Sequence, residues 1–181
     1  MVVYLEGIKT KYVLVFDIEY DGERIIQFAG ILLKRVSKKL PLYQISSNIN
    51  IYIKKYRISN KIQSLTNLST EYVNEQGITM KEFKAKLNTF IGSIEPNDLA
   101  CVSYGVLGDV AILQKNGIDF NKYELWCAYQ MAKDIICRKN NMTLGDVAKE
   151  AGFAYMPMHN AYFDTLATLW TFSYLLKLDE E

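Results

Sequence analysis

The sequence contains a single histidine, His159, which excludes any multi-histidine metal site and any histidine-histidine relay. Its three cysteines, Cys101, Cys127 and Cys137, are too few and too far apart for a zinc cluster or a disulfide framework. An odd thiol count fits a reducing compartment, and the expected location is cytoplasmic. Glu6 and Lys9 interrupt the N-terminus before an apolar core can form, so no secretory leader is expected. No apolar run reaches the ~20 residues that span a bilayer. Only three prolines occur, with no repeat and no low-complexity linker, so one compact unit over residues 1–181 is expected. Neither charge is in excess: 21 basic and 20 acidic residues leave a net charge of +1, which neither implicates nor excludes a nucleic-acid partner. What is abundant is apolar surface, at 50% of residues, enough for a sizeable core.

The segment Tyr12-Val-Leu-Val-Phe-Asp17 is rich in β-branched and aromatic residues and reads as a strand. Asp21-Gly22 is a turn signal, and Ile25 to Leu33 continues as the second arm of a hairpin. Tyr43 to Ile53 supplies a third strand with alternating isoleucines. The chain then turns helical. Thr79-Met-Lys-Glu82 is a capping box, Phe83, Leu87, Phe90, Ile91 and Ile94 follow at helical spacing, and Pro96-Asn-Asp98 is expected to stop that helix. Leu99 to Ser103 reads as a buried strand followed by a helix ending near Gly117. Tyr123 to Cys127 reads as a last strand, with helices from Tyr129 to Arg138, from Thr143, and from Asn160 to Leu176. Three strands followed by alternating units imply an α/β fold, with a mixed five-stranded sheet flanked by helices. Functional groups in such sheets collect at the ends of adjacent strands.

Asp17 and Glu19 lie at i and i+2 at the end of the first of these strands, a spacing that puts both side chains on one face. Two carboxylates converging beside a buried strand repel each other unless cations neutralise them, and magnesium suits such oxygen ligands. Asp109 opens the helix after the Leu99–Ser103 strand. On its own it reads as an acid favoured by the helix macrodipole. His159 and Asp164 are five apart and share a site only if His159 precedes the helix, which Met156-Pro-Met158 favours. On that helix Leu166, Leu169, Trp170 and Ser173 are expected to form the broad packing face. Asp164 shares a narrower strip with Ala161, Ala167, Thr168 and Thr171.

Taken in order, these features are Asp17-X-Glu19 after an apolar strand, the arm Ile25-Ile-Gln-Phe-Ala-Gly-Ile31, Tyr104-Gly-Val-Leu-Gly-Asp109, and His159-Asn-Ala-X-X-Asp164. In this order and spacing the sequence resembles the DnaQ-like 3′–5′ exonucleases of the DEDD type, histidine subclass. The resemblance runs from about Tyr12 to Leu175. It implies an RNase H-like fold in a single exonuclease-like domain. It further implies hydrolysis of phosphodiester bonds from the 3′ end of DNA or RNA. By position, Asp17, Glu19, Asp109 and Asp164 would hold two divalent ions, Mg2+ with Mn2+ able to substitute. One ion lowers the pKa of the attacking water and the other stabilises charge on the leaving oxygen. His159 would take a proton from that water, a role suited to a group titrating near neutrality. The expected partner is nucleic acid with a free 3′ end, single-stranded, with no membrane; a protein partner or a homodimer stays open.

Ile18, Tyr20 and Tyr104 are the substrate contacts expected beside the acids. Tyr20 and Asp21 depart from the family pattern, in which small or hydroxyl residues are common there, and by the resemblance Asp21 would add a negative charge near phosphate. Between Lys34 and Lys61 there are eight basic residues and no acid: Lys34, Arg35, Lys38, Lys39, Lys54, Lys55, Arg57 and Lys61. Tyr43, Tyr52 and Tyr56 are interleaved with them. Such a stretch can track a phosphate backbone and stack bases, with Lys54, Lys55 and Arg57 the candidates. It is expected on a sheet edge distant from the metals. Two other readings compete: a catalytically silent nucleic-acid or protein-binding module that retains the fold, and an endonuclease of related fold.

Overall fold

A computed structural model describes residues 1–55, 57–136, 142–154 and 159–179. Six strands form one sheet: β1 (Val2–Tyr4), β2 (Tyr12–Asp21), β3 (Arg24–Arg35), β4 (Leu42–Tyr52), β5 (Leu99–Ser103) and β6 (Glu124–Cys127). Their spatial order is β1-β4-β3-β2-β5-β6. The pairings β1/β4, β4/β3 and β3/β2 are antiparallel, whereas β2/β5 and β5/β6 are parallel. All five expected strands are present. The sixth, β1, is three residues long and pairs with the start of β4, a length too short for periodicity to reveal.

Between β4 and β5 lie α1 (Asn60–Thr66), α2 (Thr70–Gln76) and α3 (Met80–Ile91), and α4 (Val106–Lys115) separates β5 from β6. After β6 come α5 (Ala128–Ile136), α6 (Leu144–Glu150) and α7 (Ala161–Leu178). The expected capping boxes both form, Thr79 with Glu82 on α3 and Thr143 with Asp146 on α6. The α3 helix ends earlier than Pro96 suggests. Gly92 closes it, Ile94 lies beyond its end, and Pro96–Asp98 is a separate 3-10 turn. Arg138 and Met156 to Met158 lie outside the described residues, as does Tyr56.

The period of two along β2 and β3 sorts the core into two layers. Leu14, Phe16, Ile18, Phe28 and Leu32 face α3 and α4 through Phe83, Leu87, Val110 and Leu113. Within this layer the Phe16 and Phe28 rings stack at 6.1 Å. Val13, Val15, Ile31, Leu33 and Tyr43 face α5 and α7 through Ala128, Leu169, Phe172 and Leu176. Asp17 and Glu19 continue the second set of positions, so their side chains emerge beneath α7. The β2–β3 turn is tight, and Gly22 takes φ +65°, a left-handed conformation in which a Cβ would be strained.

The face that α7 buries corrects the sequence expectation. Ala161, Ala167, Thr168 and Thr171 are buried with Asp164, while Trp170 is 44% exposed and Leu166 and Ser173 are half-buried. Leu169 is buried as expected, and the small residues, which let the helix axis approach β2 and β3 closely, share the contact with Leu169, Phe172 and Leu176. Among the described residues no helix is long and apolar enough to cross a membrane.

Candidate active site

Asp17 and Glu19 stand on β2 opposite Ala29 and Gln27 of β3. The register shifts between Glu19 and Tyr20, an irregularity that turns the strand end just past the two acids. Asp109 is brought in by β5 and the short Tyr104-Gly105 link, and it occupies the first turn of α4. Its backbone N–H bonds Gly105 O at 3.3 Å, and its carboxylate accepts a hydrogen bond from the Ser103 hydroxyl. Asp164 occupies the first turn of α7, is 7% exposed, and donates its N–H to Asn160 O at 2.9 Å. Both helix N-termini present positive dipole ends to their acids, which lowers the cost of holding carboxylates there. His159 is exposed and precedes α7 with φ +39°. A non-glycine residue in the left-handed region is strained and is held by its surroundings.

These residues meet at one place. Asp17, Asp109, His159 and Asp164 line a cavity of about 780 Å³ together with Tyr104 and residues of α6 and its flanks. Glu19 is not among the lining residues. Its carboxylate nevertheless lies with His159 and Asp164 in a group whose candidate ligand atoms are all within 4.8 Å of one another. The electrostatics record the crowding. Burial, then the charges of Asp109, Asp164 and Glu19, hold the Asp17 carboxyl well above the usual carboxylate range. Glu19 is pushed up to about 8 by burial and by Asp164 and Asp109. Asp109 is raised to about 6 by burial, against the opposing Ser103 hydrogen bond. The ion pairs Lys55–Asp21 and Lys115–Glu23 lie outside this cluster. The four carboxylates are therefore a hard-oxygen donor set that a divalent ion fits.

The expected substrate contacts are placed unevenly. Tyr104 lines the cavity, stacks edge-on with Tyr129 at 5.8 Å, and donates its hydroxyl to Met142 O at 2.8 Å. Tyr20 is 40% exposed at the end of β2. The Ile18 side chain is 4% exposed and packed in the opposite layer, so it offers the cavity no side-chain contact. Lys55 is committed to Asp21: its Nζ bonds the carboxylate at 2.6 Å and the backbone oxygen at 2.8 Å. The Ser59 N–H and hydroxyl also bond Asp21, each at 2.9 Å. Asp21 is thus a structural clamp on the segment after β4, with its carboxyl held below the usual range mainly by Lys55, and not a free charge facing phosphate. Lys54 and Arg57 are exposed and share a second cavity, of about 410 Å³, with Arg24 and Lys55.

The basic stretch is also not one patch on a distant edge. Lys34, Arg35, Lys38 and Lys39 fall at one end of β4, and Lys54, Lys55, Arg57 and Lys61 fall at the other. Eleven residues of strand separate the two groups by roughly 35 Å at ~3.3 Å per residue. Only the second group lies near the acids, since Lys55 contacts Asp21 two positions beyond Glu19. The edge expected of β4 is covered at its start by β1.

Sequence reasoning missed the α6 wall of the cavity, formed by Thr143, Leu144, Gly145, Asp146 and Lys149, with Phe153 beyond the helix end. The capping box located that helix without indicating what it faces. It missed Ser103 too, whose place two residues before Gly105 gives no local signal of its bond to Asp109.

No family model and no curated protein matches the sequence. Solved structures do match. E. coli Exonuclease I in complex with a dA16 oligonucleotide aligns with a TM-score of 0.67 at 17% identity, over 88% of this chain and 39% of that one. Exonuclease I from Methylocaldum szegediense aligns with a TM-score of 0.66 at 17% identity, over 87% and 38%. A full-length 3′-exonuclease gives 0.71 at 13% identity, over 94% and 83%. The chain spans about two fifths of the length of the Exonuclease I structures it matches. It has their RNase H-like exonuclease fold, a mixed sheet flanked by helices.

Proposed function

We propose that this chain is a metal-dependent 3′–5′ exonuclease of the DEDD type, histidine subclass, acting as a single catalytic domain on single-stranded nucleic acid. The observation that carries this reading is the convergence of Asp17, Asp109, Asp164 and His159 on one cavity, with Glu19 grouped against His159 and Asp164. The likeness in fold to exonucleases supports the same reading.

Asp17, Glu19, Asp109 and Asp164 would hold two divalent ions, Mg2+ or Mn2+. When bound, these ions supply Lewis-acid activation of water and neutralise charge on the scissile phosphate. The protein's own groups do the rest. Ser103 fixes one oxygen of Asp109 and so leaves the other to face the cavity. His159 is the general base for the attacking water, and its exposed position lets it meet solvent and substrate together. Tyr104 and Phe153 offer ring surface on the cavity wall for a terminal base, and Lys149 offers a cation for a phosphate. Lys54, Arg57 and Arg24 line the neighbouring cavity, where the strand beyond the scissile end would pass.

The test is cleavage of matched 5′-labelled single-stranded DNA and RNA in magnesium and in manganese, wild type against Asp17→Ala. A descending ladder, lost in the variant, is the expected result. Internal cuts would mean an endonuclease, and metal-independent or variant-insensitive cleavage would remove the assignment. His159 also belongs to the candidate ligand group, so its role needs a separate measurement. His159→Ala is expected to lower turnover at least a hundredfold, in line with the usual general-base contribution, with Mn2+ affinity within about twofold. A large loss of Mn2+ affinity would make it a ligand instead.

A further inference from the structure

Gln27 is a polar side chain with no accessible surface, set among the apolar residues Ile25 to Leu33 of β3. A buried amide is costly unless its hydrogen bonds are made. Here two of its three bonds go to the segment that carries His159 and Asp164, and the third goes to Asn50 of β4. The Gln27 Oε1 accepts the Ala161 N–H at 3.2 Å, which is the first helical amide of α7. The Gln27 Nε2 donates to Asn50 Oδ1 at 2.9 Å and to Asn160 Oδ1 at 3.4 Å. Asn160 in turn caps α7, accepting the Tyr162 N–H at 3.1 Å, and Tyr52 joins the same group through Asn50 and Asn160.

The register explains why Gln27 can do this. It pairs with Glu19 on one side and Tyr52 on the other, so its side chain shares the α7 face with Glu19. It therefore touches both halves of the site: the strand that bears Asp17 and Glu19, and the helix start that bears Asp164. His159 lies immediately before Asn160 with φ +39°, a conformation that persists only when neighbouring contacts hold it. The amide has a defined sense. Oε1 must face Ala161 and Nε2 must face the two asparagine oxygens, so neither a hydrocarbon nor a carboxylate can replace it fully.

We propose that Gln27 is a positioning residue: its buried amide, bonded to Asn160 and Ala161, docks the start of α7 on β3 and so sets His159 and Asp164 against Asp17 and Glu19. The inference rests on the exonuclease reading for its kinetic consequence, but the placement of His159 is measurable without any activity. Because His159 is the only histidine, its ring gives one assignable set of NMR signals in the untagged protein.

Gln27→Met keeps the length and removes all three bonds. The expected result is a folded protein whose His159 ring signals shift or broaden, with kcat lowered ten- to a hundredfold and KM within about twofold. Gln27→Glu retains an acceptor for Ala161 but loses the donor and adds charge opposite Glu19, so it should not rescue kcat. If Gln27→Met fails to fold, Asn160→Ser serves. Serine caps a helix as well as asparagine does but is too short to reach Gln27, and a smaller kcat loss with the same signal change is expected. A Gln27→Met or Asn160→Ser protein with wild-type His159 signals and wild-type kcat overturns the proposal. Were the wild type itself inactive on every substrate, the exonuclease reading would fail while the His159 signals still decided the docking.

Discussion

At the scale of single residues, the acids are held at the expense of stability, and this has a measurable sign. Asp17, Glu19 and Asp109 all titrate above their ordinary range in the metal-free fold, Glu19 at about 8 and Asp109 at about 6. A carboxyl whose folded pKa is raised favours folding while protonated, and that contribution disappears as pH climbs through the folded value. Metal-free protein is therefore expected to lose stability between about pH 5 and 8.5. A fall in Tm of roughly 5 °C or more follows, at ~1.4 kcal/mol per pKa unit and a few degrees per kcal/mol. Saturating Mg2+ should recover most of the loss at the alkaline end. Asp17→Asn should do the reverse of a usual buried-polar substitution, raising metal-free Tm at pH 8 while abolishing cleavage. Thermal scans with EDTA across that range check both, and a flat profile would mean that the carboxylates do not repel as described. Asp17, Glu19, Asp109 and Asp164 were legible in the sequence through the order and spacing they share with the DEDD-type pattern, since Asp109 alone reads only as a helix-start acid. Gln27 was not, because a lone amide in an apolar strand carries no sign of what it bonds 134 residues away.

At the scale of elements, α7 and the segment after β4 repay attention for opposite reasons. The α7 boundaries followed from the sequence to within two residues, but its buried face did not. Hydrophobicity favoured Leu166, Leu169 and Trp170, and only Leu169 of these is buried; the alanines and threonines around Asp164 are buried with it because they allow close approach to the sheet. Ala167→Leu is accordingly expected to destabilise by ~1–3 kcal/mol through overpacking and to lower activity further by lifting Asp164 from β2. Trp170→Ala, at the exposed edge of the same helix, should cost less; urea unfolding of the two variants ranks them. After β4, Asp21 binds Lys55 and Ser59 and anchors the entry to α1. Asp21→Ala should destabilise by ~1–2 kcal/mol near neutral pH, with the deficit shrinking in acid as the wild-type carboxyl protonates. No sequence pattern announces that clamp, since 38 residues separate its partners.

At the scale of the whole molecule, a net charge of +1 averages over three separated regions: an acid cluster, a cationic group beside it, and a second cationic group at the far end of β4. On the proposed exonuclease reading, the near group is the one placed to follow a strand whose 3′ end lies among the acids. Replacing Lys54 and Arg57 together by alanine is expected to weaken single-strand binding and to flatten its salt dependence by roughly 1.4 in the log–log slope, at ~0.7 per phosphate contact. Replacing Lys38 and Lys39 should leave that slope unchanged. Fluorescence anisotropy over a salt series distinguishes them, and equal effects from both pairs would mean that substrate runs along β4.

The ring contact between Trp170 and Phe153, 5.8 Å centroid to centroid, reaches further than its packing. Phe153 lines the acidic cavity, whereas Trp170 is 44% exposed on α7 and donates its indole N–H to Ala151 O at 2.8 Å. The chain has one other tryptophan, Trp126, placed against Phe172 in the core layer beneath α7, away from the cavity lining. A nucleobase or metal that shifts Phe153 will therefore change the emission of one indole and leave the second as an internal reference. The protein carries its own optical readout of cavity occupancy, with no label attached.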